Sequence, residues 1–165
     1  MKMQTVAICL GALLTNAALP AHAETAAPQP AQSSQPTHGA CALVKAEDLK
    51  ALMGEVPSYS SKKGSCTWTV AGKPTKLITT KFPDDGMAAE MAYYDIEKNA
   101  SSGGPVISTK GLGDKGFARL NKIGVVLVTI KNGKLLQMVY ATGAPGTEKD
   151  IEALKPVAMK VLEGF

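Results

Sequence analysis

Two apolar segments joined by a short polar turn constrain the fold of this 165-residue chain more than any other feature. Residues 123–130 (IGVVLVTI) and 135–140 (LLQMVY) flank the sequence Lys-Asn-Gly-Lys. Asn132 and Gly133 in a two-residue loop favour a type I′ turn, because both positions of that turn require positive φ and these residue types tolerate it. The pattern predicts an antiparallel β-hairpin with Asn132 and Gly133 at its turn.

The turn also predicts which residues of the hairpin face each other. The expected pairs on one face are Ile130 with Leu135, Val128 with Gln137 and Val126 with Val139, and those on the other are Thr129 with Leu136, Leu127 with Met138 and Val125 with Tyr140. Both faces are largely apolar, so each needs a covering layer. We therefore expect these strands at the centre of a sheet that is covered on both sides.

The first 23 residues have the three-part layout of a secretory signal peptide. Lys2 supplies the positive start, residues 5–14 form a short apolar run, and Ala21-His22-Ala23 is a small-x-small cleavage site. A buried helix or a membrane anchor is the alternative, but a bilayer-spanning helix needs about 20 apolar residues. We expect cleavage after Ala23 and export to the periplasm.

Of the three cysteines in the chain, one is predicted to be removed with the signal peptide and two to remain in the mature protein. Cys9 is preceded by Ile8 and not by the small residue of a lipoprotein signal, so we expect no lipidation, and signal cleavage removes it. Cys41 and Cys66 remain, and an even number of cysteines in an oxidising compartment indicates one disulfide bond. A metal site is the alternative, but neither cysteine has a Cys-x-x-Cys or histidine partner.

Composition divides the remaining chain into a spacer and one domain. Residues 24–38 are rich in Pro, Gln, Ser and Ala without a large apolar side chain, which predicts a flexible spacer. Residues 39–165 are expected to form a single domain. Besides the hairpin, its patterns predict helices at 46–53, 85–99 and 148–162 and strands at 65–70 and 76–82. This order predicts an α+β fold with a mostly antiparallel sheet, about three helices packed on it and one intradomain disulfide.

Single residues mark the ends and faces of these helices. Gly54 is placed to end the first helix in a left-handed conformation, Thr147 to cap the last, and Pro156 to kink or divide it. In the second helix, Met87 and Met91 could ligate Cu(I) through their thioethers. We interpret both instead as core methionines, because no third soft ligand lies nearby in the sequence. We expect no metal and no cofactor.

The sequence offers little for catalysis. His38 is the only histidine after the signal peptide and it lies in the spacer, so the domain lacks an imidazole for Ser-His or Cys-His nucleophilic sites. Residues 111–116 (GLGDKG) match G-x-G-x-x-G, but no long helix follows them. We therefore interpret them as a glycine-rich turn between strands and not as a dinucleotide site. We expect no catalytic residue and a protein that is not an enzyme.

Four short segments resemble a family of small exported bacterial domains of unknown function, many of them lipoproteins. They are Cys41-Ala-Leu-Val-Lys-Ala-Glu-Asp-Leu, Leu52-Met-Gly, Cys66-Thr-Trp and Gly111-Leu-Gly-Asp. The resemblance implies a disulfide between Cys41 and Cys66 and an α+β sandwich-like fold, and it supplies no activity. This chain departs from the family in lacking the lipobox cysteine and in carrying Lys45 where a Ser or Thr cap is expected.

These observations favour a non-enzymatic exported domain that binds a protein or another envelope component. The first alternative is a small-ligand binding or sensing module with a pocket between the sheet and the second helix. The second is a hydrolase that works without histidine. The lysines are dispersed along the chain and not clustered with aromatic residues, so we expect no nucleic-acid partner.

Overall fold

The predicted hairpin occupies the centre of a seven-stranded antiparallel sheet in the part of the chain that the structure describes. This computed structural model describes Pro36, residues 39–82 and residues 86–165. The predicted signal peptide, the spacer except Pro36, and residue 85 at the predicted start of the second helix lie outside the described residues. The strands are β1 (Ser58–Lys62), β2 (Ser65–Thr69), β3 (Lys76–Lys81), β4 (Val106–Ser108), β5 (Lys115–Asn121), β6 (Gly124–Lys131) and β7 (Lys134–Ala141). Their spatial order is β1-β2-β3-β7-β6-β5-β4.

Helices cover both faces of this sheet. The described α-helices are α1 (Lys50–Met53), α2 (Gly86–Ala100) and α3 (Glu148–Glu163). Apolar residues of α2 pack with one face of the central strands. Residues of α3, of α1 and of the 3₁₀ helix Gly39–Leu43 pack with the other. The predicted α+β fold is confirmed, and the doubly covered strands β6 and β7 account for the apolar character of both hairpin faces.

The hairpin has the predicted register, because all six expected residue pairs are partners in the β6–β7 ladder. Asn132 and Gly133 form the turn with φ values of 52° and 69°, which is the backbone conformation that a type I′ turn demands. The second predicted pair of strands is also present, since β2 and β3 are antiparallel neighbours across the turn at residues 71–74.

The predicted disulfide between Cys41 and Cys66 is present, with their Cα atoms 4.8 Å apart. Both residues are fully buried, and the bond attaches the 3₁₀ helix Gly39–Leu43 to β2. Structural disulfides are typical of proteins outside the reducing cytosol. Within residues 39–82 and 86–165, none of the helices combines the length and the hydropathy that crossing a membrane requires.

The structure corrects the first predicted helix. Within the predicted helix 46–53, residues Ala46–Leu49 form a 3₁₀ helix and only Lys50–Met53, which is α1, is α-helical. Lys45 provides no side-chain cap, and the backbone N–H of Asp48 donates to the carbonyl of Lys45 at 3.0 Å. A first turn without a capping side chain closes through such shorter-range bonds. Gly54 ends α1 as predicted, with φ of 83°.

Pro156 does not divide the last helix, because α3 is continuous through this residue, and the apolar stripe continues across the proline as predicted. A proline inside a helix removes one backbone hydrogen bond. The buried stripe of α3, with Leu154 before the proline and Val157 after it, offsets this loss by packing on the sheet. Thr147 caps α3 as predicted and forms a capping box with Asp150.

Candidate binding site

The outer face of α2 carries exposed apolar side chains that we call the α2 stripe and define as Met87, Met91 and Tyr94. Their exposed fractions are 76%, 63% and 54%. The interpretation of the two methionines as core residues is therefore wrong. Each of them precedes by two residues a side chain that is buried against the sheet, Ala89 or Tyr93. Two residues correspond to about 200° around a helix, which places the methionines on the solvent side.

Tyr94 of the α2 stripe is held in place by a lysine of β5. The Nζ atom of Lys115 donates to the Tyr94 hydroxyl at 3.0 Å and lies 4.6 Å from the centroid of its ring. The same atom forms an ion pair with Glu90 at 2.5 Å. The hydrogen bonds to Glu90 and Tyr94 raise the pKa of Lys115 above its usual value. Tyr94 consequently presents a positioned aromatic ring to solvent.

A polar cleft of about 350 Å³ separates α2 from the glycine-rich loop between β4 and β5. Tyr93 and Glu97 line it from the helix, and residues 108–116 line it from the other side. The Tyr93 hydroxyl donates to Oε1 of Glu97 at 3.5 Å. Thr109 also lines the cleft, and its buried hydroxyl has no hydrogen-bond partner among the described residues. The cleft lies between the second helix and the β4–β5 loop with the adjoining ends of the two strands, and not between the helix and the face of the sheet.

The glycine-rich loop is fixed to β6 by hydrogen bonds. The Thr129 hydroxyl bridges the carbonyls of Leu112 at 2.8 Å and Lys115 at 3.1 Å, and the backbone N–H of Asp114 donates to the Ile130 carbonyl at 2.7 Å. Gly113 has φ of +66°, and a Cβ there would collide with the Ile130 carbonyl oxygen. The predicted turn between strands is confirmed, and Gly113 permits its close approach to β6.

Tyr93 is expected to make the folded state less stable as the pH becomes alkaline. Burial, and then the charge of Glu97, raise the pKa of its phenol. The folded state therefore keeps a proton that the unfolded chain loses above about pH 10, so this contribution to stability is present below that pH and is lost as pH rises through the folded pKa. The raised pKa of Lys115 acts in the same direction.

We expect the urea midpoint of unfolding to fall as the pH rises above about 10, and to fall less steeply for Tyr93→Phe. Circular dichroism at a series of pH values measures both curves. Tyr140, whose pKa is also raised by burial, stays in the variant, so part of the fall should remain. Parallel curves for the two proteins would contradict the role given to Tyr93.

The predicted disulfide and turn residues lie in the core or in a turn of the fold. Cys41 and Cys66 lie in the core, and Asn132 donates from its side-chain amide to the Phe165 carbonyl at 3.1 Å. Among the described residues, no group of three or more His, Cys, Asp or Glu side chains is arranged to hold a metal ion. Ser60 and Lys63 have the S-x-x-K spacing of some hydrolases, but Ser60 is the middle residue of β1 and Lys63 lies in the following turn, so the two are not neighbours on a helix surface.

Comparison of the chain with protein-family models, with curated proteins and with solved structures finds no match. The candidate site therefore stands on the geometry of this chain alone. Its parts are the α2 stripe, the Lys115 side chain that supports Tyr94, and the cleft on the other flank of α2.

Proposed function

We propose that this protein is an exported, non-enzymatic domain that binds an envelope protein through the α2 stripe. In this proposal residues 1–23 direct export and are removed after Ala23, residues 24–38 are a flexible spacer, and residues 39–165 are the binding domain in the periplasm. The buried disulfide supports an oxidising compartment.

The exposure of the α2 stripe is the observation that carries this proposal. Its three members occupy positions i, i+4 and i+7 of one helix, so they form a continuous line along its surface. Exposed apolar patches on soluble proteins mark interaction sites. Flexible methionines adapt to the shape of a partner, and aromatic residues such as Tyr94 are enriched among residues that dominate binding energy. A protein with an apolar groove is the partner that such a line of side chains fits.

We expect a photo-crosslinking amino acid at Met91 to give one discrete protein adduct in cells that export this protein. The substitutions Met87→Ser and Tyr94→Ser, made together in the crosslinker variant, should lower its yield at least about tenfold, because tenfold corresponds to 1.4 kcal/mol of binding energy. The crosslinker at Asn99, an exposed position of the same helix about 100° around the helix axis from the stripe, is the matched control and should give no such adduct.

The same adduct from Asn99, or an unchanged yield after the double substitution, would show that the α2 stripe is not the contact. Misfolding is not the expected cause of a loss, because changes at exposed positions usually alter stability by less than about 0.5 kcal/mol. Export of each variant and its disulfide content provide the check.

The cleft beside Tyr93 and Glu97 favours a second candidate function, the binding of a small polar ligand. Its lining offers hydroxyl and carboxylate groups together with the lysines of the glycine-rich loop. A protein purified under gentle conditions should then carry an additional mass in native mass spectrometry. Tyr93→Phe combined with Glu97→Gln should remove that mass, whereas the α2 stripe variants should keep it.

A further inference from the structure

Arg119 on β5 is a cation without a partner in the part of the chain that the structure describes. It is the only arginine of the sequence, which otherwise uses lysine for its basic residues. The described ion pairs are formed by Lys73, Lys115, Lys155 and Lys160. The Nε atom of Arg119 is buried and makes no hydrogen bond. A partly buried charge without a counter-charge is costly, so the site is suited to an anion that arrives from outside.

The backbone at Gly103 lies against the guanidinium group of Arg119. A Cβ atom built on Gly103, just after α2, would stand 2.6 Å from Nη1 and 2.9 Å from Cζ. Only a residue without a side chain therefore leaves the guanidinium where it is. Arg119 faces Val106 across the β4–β5 ladder, and the side chain of Val106 is 43% exposed.

Strand β4 is an open edge of the sheet among the described residues. The N–H of Leu120 donates to the Pro105 carbonyl, and the N–H of Thr109 donates to the Gly116 carbonyl. In an antiparallel pair such bonded positions alternate with positions whose N–H and C=O groups point away from the partner strand. Val106 and Ser108 therefore direct their backbone groups outward, at the spacing that another strand requires.

We propose that an extended acidic segment of a partner protein adds to the edge of β4 and that one of its glutamate side chains binds Arg119. Residues paired across neighbouring strands share a face of the sheet, so the partner residue opposite Val106 lies on the same face as Arg119. Two strand spacings, about 9.5 Å, separate the two backbones. The long side chains of arginine and glutamate together cover that distance, and the planar guanidinium can donate two hydrogen bonds to one carboxylate.

Charge and edge geometry together select this occupant. The formal net charge is +4 for the whole chain and +3 without Lys2 of the proposed signal peptide, and a positive charge favours acidic partners. Strand addition supplies backbone hydrogen bonds that are independent of sequence, and the charge at Arg119 supplies the preference for an acid. The opposite edge, β1, is also open among the described residues, but it carries no arginine. This site uses residues other than the α2 stripe, so it can be tested separately.

The test is a titration of the purified ¹⁵N-labelled protein with two capped peptides, Ac-Thr-Val-Thr-Glu-Thr-Val-Thr-NH₂ and the same peptide with Gln in place of Glu. We expect NMR shifts at the Val106 and Ser108 amides and at the Arg119 Nε–H group. The Glu peptide should bind at least about tenfold more tightly, since a hydrogen bond to a charged group is worth more than a neutral one.

Three variants separate the parts of the proposal. Arg119→Gln should remove the preference for Glu over Gln, and Gly103→Ala should weaken it by displacing the guanidinium without changing its charge. Ser108→Pro removes an outward N–H while leaving the β4–β5 ladder intact, so it should weaken both peptides. The spectrum of each free variant reports its folding.

Equal affinity for the two peptides, shifts confined to β1, or no shifts with either peptide would overturn the proposal. One further result would overturn it. If acetate alone reproduces the Arg119 shift and neither peptide shifts the Val106 and Ser108 amide signals, strand addition is absent. None of these outcomes bears on crosslinking at the α2 stripe, so each proposal fails or survives by itself.

Discussion

Replacing the disulfide with two alanines, Cys41→Ala and Cys66→Ala, is expected to lower the free energy of unfolding by about 3.5 kcal/mol. The bond closes a loop with a sequence separation of 25 residues, and loss of this constraint increases the entropy of the unfolded chain. The native state loses packing as well, because both cysteines are fully buried beside Leu49 and Trp68 in the same core cluster. The Thr79 hydroxyl of β3 also donates to the Ala40 carbonyl at 3.4 Å, so the disulfide is one of several contacts that hold the Gly39–Leu43 segment on the sheet.

Urea unfolding followed by circular dichroism measures the effect. Wild-type protein unfolded in the presence of a reductant is the matched control, because it lacks the bond but keeps both side chains. The two proteins should lose similar amounts of stability, and the single variants Cys41→Ala and Cys66→Ala should resemble them. A decrease below about 1 kcal/mol would contradict the importance given to the loop constraint.

The central part of the fold could be predicted because its information is local. Asn132 and Gly133 specify a turn by their own backbone preferences, and the turn then fixes the pairing of every residue in β6 and β7. The same is true of Gly54 and Thr147, whose conformations end α1 and begin α3. Each of these predictions requires only a few neighbouring residues.

Strand β1 could not be predicted, because its sequence SYSSK contains a single large apolar residue, Tyr59, and no alternation of apolar and polar positions. It exists as a strand because β2 offers it hydrogen-bonding partners and Trp68 offers a ring to Tyr59, at 5.4 Å between centroids. These are properties of the assembled sheet. The hydrophobic pattern of the five residues of β1 cannot reveal these contacts.

The candidate sites were missed for two different reasons. Met87 and Met91 are apolar and lie beside the apolar stripe of the helix, so their hydrophobicity alone predicts that they are buried. Only the small width of the buried face, which contains Ala89 and Tyr93, indicates that the two methionines are exposed. The spacing of Met87, Met91 and Tyr94 was visible in the sequence and could have suggested an outer line. Arg119 became a candidate only when topology placed β4 at an edge and left its guanidinium without a partner.

The substitution Trp68→Ala is expected to be among the most destabilising single changes, with a loss of about 3–5 kcal/mol. Trp68 is fully buried on β2, faces Tyr59 on β1 and Leu77 on β3, and packs in the cluster that contains the disulfide. Removing its ring leaves a cavity that neighbouring strands cannot close without breaking their ladders. Circular dichroism must report this unfolding, because Trp68 is the only tryptophan of the chain and its fluorescence is lost.

Trp68→Phe is the matched control and tests a more specific point. The Nε1 atom of Trp68 is buried without a hydrogen-bond partner among the described residues. An unsatisfied buried donor costs about 1–3 kcal/mol, and phenylalanine removes that donor while filling much of the space. We therefore expect Trp68→Phe to lose less than half of the stability that Trp68→Ala loses. Equal losses would mean that the shape of the whole indole ring dominates and that the unsatisfied N–H contributes little.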